Sequence, residues 1–227
     1  MQTPSLRENP MGSRKILPLL LSMSVPPMIS MMIQGLYNIV DSIFVAHLSQ
    51  EALTAVSLVY PLQNLTLSVA VGLGVGLNAC IARSLGAGRP EEAGRAAVHG
   101  LLCTGVHSIL FVLVGLFLSE PFLRLFTQDE TVLALGMEYA LIVVPLSFGS
   151  LFHICVEKMF QATGNMVIPM FLQGIGAVIN LILDPIFIFG WMGIPAMGVA
   201  GAAVATVTGQ MAACACAILL FIKTNRE

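Results

Sequence analysis

The sequence predicts an all-α integral membrane protein, a six-transmembrane-helix bundle with both termini cytoplasmic. Three observations predict it. Of the 227 residues, 57% are hydrophobic and only 10% charged, against roughly 25% charged in soluble domains. The apolar residues gather into six runs, at 16–46, 52–82, 96–118, 132–157, 167–190 and 198–222. Each run exceeds the roughly 20 residues that cross a bilayer as helix, whereas a strand barrel needs short alternating segments. The basic residues, finally, fall almost entirely between alternate runs.

The elements follow in order. The tail at 1–15 carries Arg7, Arg14 and Lys15 ahead of an apolar run. That run is too long for a signal peptide and lacks a small-residue cleavage site, so it is expected to stay as the first span. Gly86-Ala87-Gly88-Arg89-Pro90, Thr163-Gly164-Asn165 and Gly190-Trp191-Met192-Gly193-Ile194-Pro195 have the composition of turns between spans. Six spans put Arg7, Arg14, Lys15, Arg83, Arg89, Arg95, Lys158, Lys223 and Arg226 on one side. Only Arg124, in the third loop with Glu120, Asp129 and Glu130, lies on the other. The positive-inside rule makes the crowded side cytoplasmic. The expected organisation is a single domain: a cytoplasmic tail at 1–15, the helical bundle at 16–222, and a second cytoplasmic tail at 223–227. A multi-pass protein of the cell (plasma or inner) membrane follows. The formal net charge of −2 excludes a nucleic-acid surface, which needs a basic face. Cys80, Cys103, Cys155, Cys214 and Cys216 lie in apolar stretches without metal or redox spacing and read as small buried apolar residues.

Three acids fall inside spans: Asp41, Glu157 and Asp184. Glu138, near the outer end of span four, reads as interfacial. A carboxylate at bilayer depth costs a few kcal/mol and so faces a partner or a water-filled cavity. It carries protons or cations, or it makes a helix-packing hydrogen bond. Asn180 and Asp184 are four residues apart and share a helical face. Pro185 frees the carbonyl of Leu181 one turn back. Amide, carboxylate and carbonyl together form an oxygen-rich spot suited to a hard cation such as Na⁺. In span one Tyr37 and Asp41 share a face, with Asn38 three residues from Asp41. In span four His153 and Glu157 are four apart, as a proton relay or a satisfied buried pair requires.

Pro26-Pro27, Pro61 and Pro145 interrupt spans, as bends or as tolerated kinks. Gly72-Leu73-Gly74-Val75-Gly76 has no preceding strand and no following lysine, so it is not a phosphate loop. Gly72 and Gly76 have the GxxxG spacing of close helix approach, and Gly198, Ala202 and Ala205 offer a similar small surface. Thirteen methionines suit adaptable apolar walls. Without a Walker lysine, HExxH or GxSxG, the chain is expected not to be an enzyme, to need no cofactor, and to draw on an ion gradient.

Taken in order, these segments resemble the multidrug and toxic compound extrusion (MATE) family of cation-coupled efflux transporters. Pro26-Pro27 and then Tyr37-Asn38-Ile39-Val40-Asp41 look like the family's first helix, and Ala82-Arg83 with Gly86-Ala87-Gly88 like its following loop. Gln161-Ala162-Thr163-Gly164-Asn165 is similar to the turn after helix four, Asn180-Leu181-Ile182-Leu183-Asp184-Pro185 to the helix-five motif, and Gly201-Ala202-Ala203-Val204-Ala205-Thr206 to the helix-six signature. The resemblance implies cation coupling by Asp184, with Asn180, Asp41 and Thr206 lining the same cavity, and Tyr37, Asn38 and His153 beside the substrate. Glu157 stands where many members carry Asn. An acid there resembles the MepA-like branch, in which it works as a pair with the helix-five acid.

The family has twelve helices in two related lobes, and this chain corresponds to the amino-terminal one. It ends about where the inter-lobe linker would begin. It is therefore expected to be a fragment or truncated frame, or a half-size chain that pairs with a second lobe or a second copy. The implied activity is H⁺- or Na⁺-coupled antiport of amphipathic or cationic organic compounds, in contact with membrane lipid. A lipid-linked oligosaccharide flippase of the same superfamily is an alternative that wants a more basic cavity. An inactive fragment or structural membrane subunit is another.

Overall fold

The structure, a computed structural model, describes residues 15–224. Arg7, Arg14 and Arg226, used above for orientation, lie outside the described residues. Among the described residues eight α-helices follow one another: α1 (Ile16–Ala46), α2 (Gln50–Gly86), α3 (Pro90–Phe117), α4 (Ser119–Arg124), α5 (Glu130–Val143), α6 (Phe148–Ala162), α7 (Val167–Phe189) and α8 (Gly198–Thr224). Six stretches are long and apolar enough to cross a membrane, with α5 and α6 together forming one of them over Glu130–Ala162.

Local chemistry sets the ends. Ser49 caps α2 by accepting from the Ala52 N–H at 3.0 Å. Asp129 Oδ1 caps α5, accepting from the Thr131 N–H at 2.8 Å and the Val132 N–H at 3.3 Å. Each cap satisfies donors that the first turn leaves orphaned. Pro90 opens α3, where its missing N–H costs nothing. Gly190 closes α7 in the left-handed region at φ +76°.

The second, third and fourth spans start earlier than the apolar runs at 52–82, 96–118 and 132–157 suggest, and the second and fourth also end later. The second loop shrinks to Ala87, Gly88 and Arg89, because Pro90 starts a helix whose first turn is polar. Arg83 and Arg95 therefore sit on helix ends, not in a loop. Lys158 lies inside α6, with only 17% of its side chain exposed, so it too is not a loop residue. The span expected at 132–157 is two helices joined by a 3₁₀ turn over Pro145–Ser147. Of the prolines, Pro145 alone stands at such a break; Pro26, Pro27, Pro61 and Pro185 all lie within continuous α-helix. The short α4 escaped the sequence reading. It holds Arg124 so that its guanidinium donates to Glu120 at 2.9 Å and to Glu130 at 3.4 Å.

Packing is tightest between α7 and α8, with α2 on α6 and α1 on α7 next. One apolar core fills the end bearing the first, third and fifth loops, around Val45, Val59, Leu123, Tyr139, Ile188 and Ala203. Smaller clusters close the opposite end, around Leu77, Ile81, Cys155 and Met159 and around Phe160, Leu172 and Ala217. Between them lie a further apolar cluster, around Ala70, Phe111, Leu151 and Ile154, and the buried polar side chains of Asp41, Asn180 and Thr206.

Two expectations are corrected. Gly72 and Gly76 approach no other helix within the chain; the packed glycine is Gly74, where a Cβ would stand 2.6 Å from Lys158 Cγ. The GxxxG spacing describes the wrong face of α2. Likewise Cys80 and Cys103 lie on the outer surface while Cys155 and Cys214 are buried, and all five thiols are free. In a membrane protein an apolar residue faces lipid as readily as core, so hydrophobicity does not separate the two. Gly198 also meets no neighbour, whereas Ala202 and Ala205 are fully buried.

Candidate functional site

Glycine brings the polar groups of α7 and α8 together. A Cβ at Gly209 would lie 2.8 Å from the Gly176 carbonyl oxygen and 3.2 Å from Asn180 Cβ. Only glycines let the two backbones approach so closely. One turn along, Asn180 meets both Asp184 and Thr206. Its Nδ2 stands 3.3 Å from Asp184 Oδ1 and 3.5 Å from Thr206 Oγ1. Turning the amide over improves the network: Nδ2 then donates to Asp184 Oδ2 at 3.2 Å, and Oδ1 accepts the Thr206 backbone N–H at 3.2 Å. The triad is dry, with Asp184 0%, Asn180 3% and Thr206 4% exposed.

From α1, Asp41 faces this triad. It is buried, and it lines a cavity together with Tyr37 and Thr206. Asp41 Oδ1 has no hydrogen-bond partner. Tyr37 and Asn38 are half-buried one turn before it.

Two cavities open on these groups. One, of about 440 Å³, is lined by Asp41, Asn38, Tyr37, Tyr60, Gln63, Tyr139 and Thr206 among others, and Asp41 is its one charged residue. The second, of about 270 Å³, lies toward the fourth loop and is lined by His153, Glu157, Lys158, Gln161, Asn180 and Thr206 among others. They meet at Met31, Gln34, Tyr37, Leu67, Ser150, Thr206 and Gln210, which line both. Asp184 lines neither. Asn180, which is hydrogen-bonded to it, lines the second, and Thr206 lines both.

Unpartnered polar atoms point to a ligand or water. Besides Asp41 Oδ1, these are His153 Nε2, Gln210 Oε1 and Ser147 Oγ, on residues that line the cavities, and Ser119 Oγ, on a residue that does not. Burial without a partner costs about 1–3 kcal/mol per group.

The pairing proposed for His153 with Glu157 does not form. His153 Nε2 is left without a partner, and Glu157 Oε1 instead accepts from Lys158 Nζ at 3.1 Å and Gln161 Nε2 at 2.7 Å. The helical spacing is right, but neighbours on the same helix capture the acid first. Among the described residues no cluster of three His, Cys, Asp or Glu side chains is placed to hold a metal ion.

Four contributors were missed in the sequence: Gln210, Tyr139, Gln63 and Lys158. Gln210 is four residues after Thr206 on the same face of α8, and that spacing was available to find it. Tyr139 is 2% exposed and accepts a hydrogen bond from Gln63 Nε2 at 3.4 Å. It comes from α5 and Gln63 from α2, so no local pattern ties either to Asp41. Lys158 was read as loop charge.

A protein-family model, MatE, matches residues 26–186. A protein named FAD transporter from Shewanella oneidensis is 30% identical over 214 residues, 91% of this chain and 46% of that protein. Multidrug export protein MepA of Staphylococcus aureus is 28% identical over 207 residues, 89% of this chain and 44% of that protein. The chain thus spans about half the length of the curated relatives it matches. Among solved structures, a MOP superfamily transporter from Pyrococcus furiosus, described as having a binding pocket of reverse polarity, superposes with a TM-score of 0.85 at 31% identity. That superposition covers 91% of this chain and 45% of the other. An outward-facing multidrug resistance MATE family transporter of the same superfamily also gives a TM-score of 0.85. With a family model spanning most of the chain and the same helical arrangement in solved relatives, this chain belongs to the MatE family.

Proposed function

We propose that the chain forms one lobe of a cation-coupled antiporter that exports amphipathic and cationic organic compounds, using a gradient of H⁺ or Na⁺. The observation that carries this reading is the Asp41 cavity. Its one charged wall among the described residues is an intramembrane carboxylate with an unpartnered oxygen, and the same cavity is lined by Thr206, which belongs to the Asn180–Asp184 network. A carboxylate in apolar surroundings attracts a counter-charge. Asp41 meets the incoming cation. Asp184, with Asn180 and Thr206, holds the coupling ion out of reach of bulk water.

Tyr37 and Asn38 beside Asp41, and His153 in the adjoining cavity, supply polar contacts within otherwise apolar walls. Such walls bind by shape and adaptable apolar contact more than by directed hydrogen bonds. The names of the MepA relative and of the multidrug resistance structure agree with a multidrug substrate range. No chemistry on the substrate is involved, so the protein is not an enzyme. The complete path needs a facing wall, supplied by a second lobe or a second copy of the chain. The assembly sits in the cell membrane with both termini of this chain in the cytoplasm.

The test is equilibrium binding of tetraphenylphosphonium, a lipophilic monocation, to the purified chain in lipid nanodiscs. Asp41→Asn is expected to weaken binding by about tenfold, the worth of one charge-assisted contact. Asp184→Asn is expected to abolish the dependence of binding on pH or Na⁺ while leaving membrane insertion intact. Wild-type binding in both variants would overturn the reading.

A further inference from the structure

Lys158 is a basic side chain inside the bundle that the coupling reading does not use. Its Nζ donates to Glu157 Oε1 at 3.1 Å and to Gln161 Oε1 at 3.0 Å, and Gln161 Nε2 donates to the same Glu157 oxygen at 2.7 Å. The three side chains form a closed triangle on the last two turns of α6. Glu157 and Lys158 are each only 17% exposed in their side chains. Among the described residues they are the only charged ones lining the 270 Å³ cavity, and they cancel. Beside them in that wall, His153 Nε2 is buried without a partner, His153 being 6% exposed.

The backbone around Lys158 fixes the arrangement. Its aliphatic stem crosses α2 at Gly74, where an added Cβ would stand 2.6 Å from Lys158 Cγ and 3.5 Å from Lys158 Cβ. A lysine stem lies flat on apolar surface while its head reaches a polar partner; here glycine clears the track. Asn78 Nδ2 donates to the Lys158 carbonyl at 3.3 Å, tying the same stretch of α6 to α2.

We propose that Lys158 is a tethered cation occupying a second cation subsite at Glu157, so that the cavity accepts organic compounds with one positive charge and disfavours those with two. The proposal rests on the reading that these cavities take organic cations. An ammonium held on the neighbouring residue competes with a free ligand at the high effective concentration of a short tether. A dication that placed one charge at Asp41 would find the Glu157 carboxylate already filled. Lys158 is thus a specificity-determining residue, and Gly74 positions it.

Binding to the full chain in nanodiscs tests this with two probes, tetraphenylphosphonium and a bis-quaternary ammonium of similar apolar area. In Lys158→Met the dication-to-monocation affinity ratio is expected to rise about tenfold, one charge-assisted contact being freed. Adding Glu157→Gln is expected to return the ratio to the wild-type value. Gly74→Ala, which pushes the lysine stem aside, is expected to shift the ratio in the same direction as Lys158→Met. A purely structural clasp between α2 and α6 would change thermal stability and leave the ratio unmoved, and that result would overturn the proposal.

A second measurement needs no transported ligand. Dicyclohexylcarbodiimide should label Glu157 in Lys158→Met and spare it in the wild type, read by peptide mass spectrometry. Equal labelling of the two proteins also overturns the proposal. If no organic cation binds any variant, the transport reading fails, and the labelling still decides whether the lysine fills the Glu157 site.

Discussion

Asp184 shows how far one residue depends on its neighbours. Its carboxylate is wholly buried, yet the groups that satisfy it come from one turn back on its own helix and, through Asn180, from Thr206 on the next. The contact exists because Gly176 and Gly209 let α7 and α8 close on each other. Gly209→Ala is therefore expected to cost about 1–3 kcal/mol through overpacking. The loss appears as a lower thermal unfolding midpoint in detergent, with weakened monocation binding as Asn180 is displaced. Gly72→Ala, which meets no atom within 4 Å, should leave the midpoint unchanged or raise it. Equal losses in the two variants would contradict this assignment of the packed face.

At the scale of elements, the broken fourth span matters most. Pro145 lacks an N–H and begins a 3₁₀ turn, and the tight fit of Gly115 against it, where a Cβ would lie 2.6 Å from the proline ring, seats that turn on α3. The break separates α5, which delivers Tyr139 to the Asp41 cavity, from α6, which delivers His153, Glu157 and Lys158 to the other. A continuous helix would impose a single angular register on all four side chains. The start of α5 depends on Asp129, whose carboxylate oxygen accepts two backbone N–H bonds. Asp129→Ala should lower stability by about 1 kcal/mol, a typical capping loss, measured by thermal unfolding in detergent. Asp129→Asn should restore most of it, since the amide oxygen still accepts.

For the whole molecule, the sidedness of charge makes a prediction independent of the cavities. Arg83, Arg89, Arg95, Lys158 and Lys223 lie toward one end of the bundle, and Arg124 toward the other. With the even-numbered loops inside, a fluorescent protein fused after Glu227 should fold and fluoresce, and alkaline phosphatase fused there should be inactive. The reverse pattern would invert the orientation. Lys158 contributes less to that sidedness than loop charge does, because Glu157 neutralises it at 3.1 Å. The outer faces of α1 are strongly apolar, with Ile16 77% and Met32 67% exposed. That surface suits lipid or a facing lobe, and α1 carries Tyr37 and Asp41 beside it.

Composition and the length of the apolar runs determined the helical class and the six spans by themselves, because a bilayer admits few ways to satisfy a backbone. The pairing of Asn180 with Asp184 was equally legible, since four residues along a helix is a fixed geometry. Only the tertiary structure decided which groups meet across helices. It buried Asp184 against Asn180, brought Tyr139 and Gln63 to the Asp41 cavity, left His153 without Glu157, and turned Lys158 inward. Hydrophobic patterning cannot resolve these choices in a membrane protein, because lipid and core are equally apolar and either face of a span is free to point inward. The close contacts at Gly74, Gly176 and Gly209 fix which faces meet, and through them where the carboxylates stand.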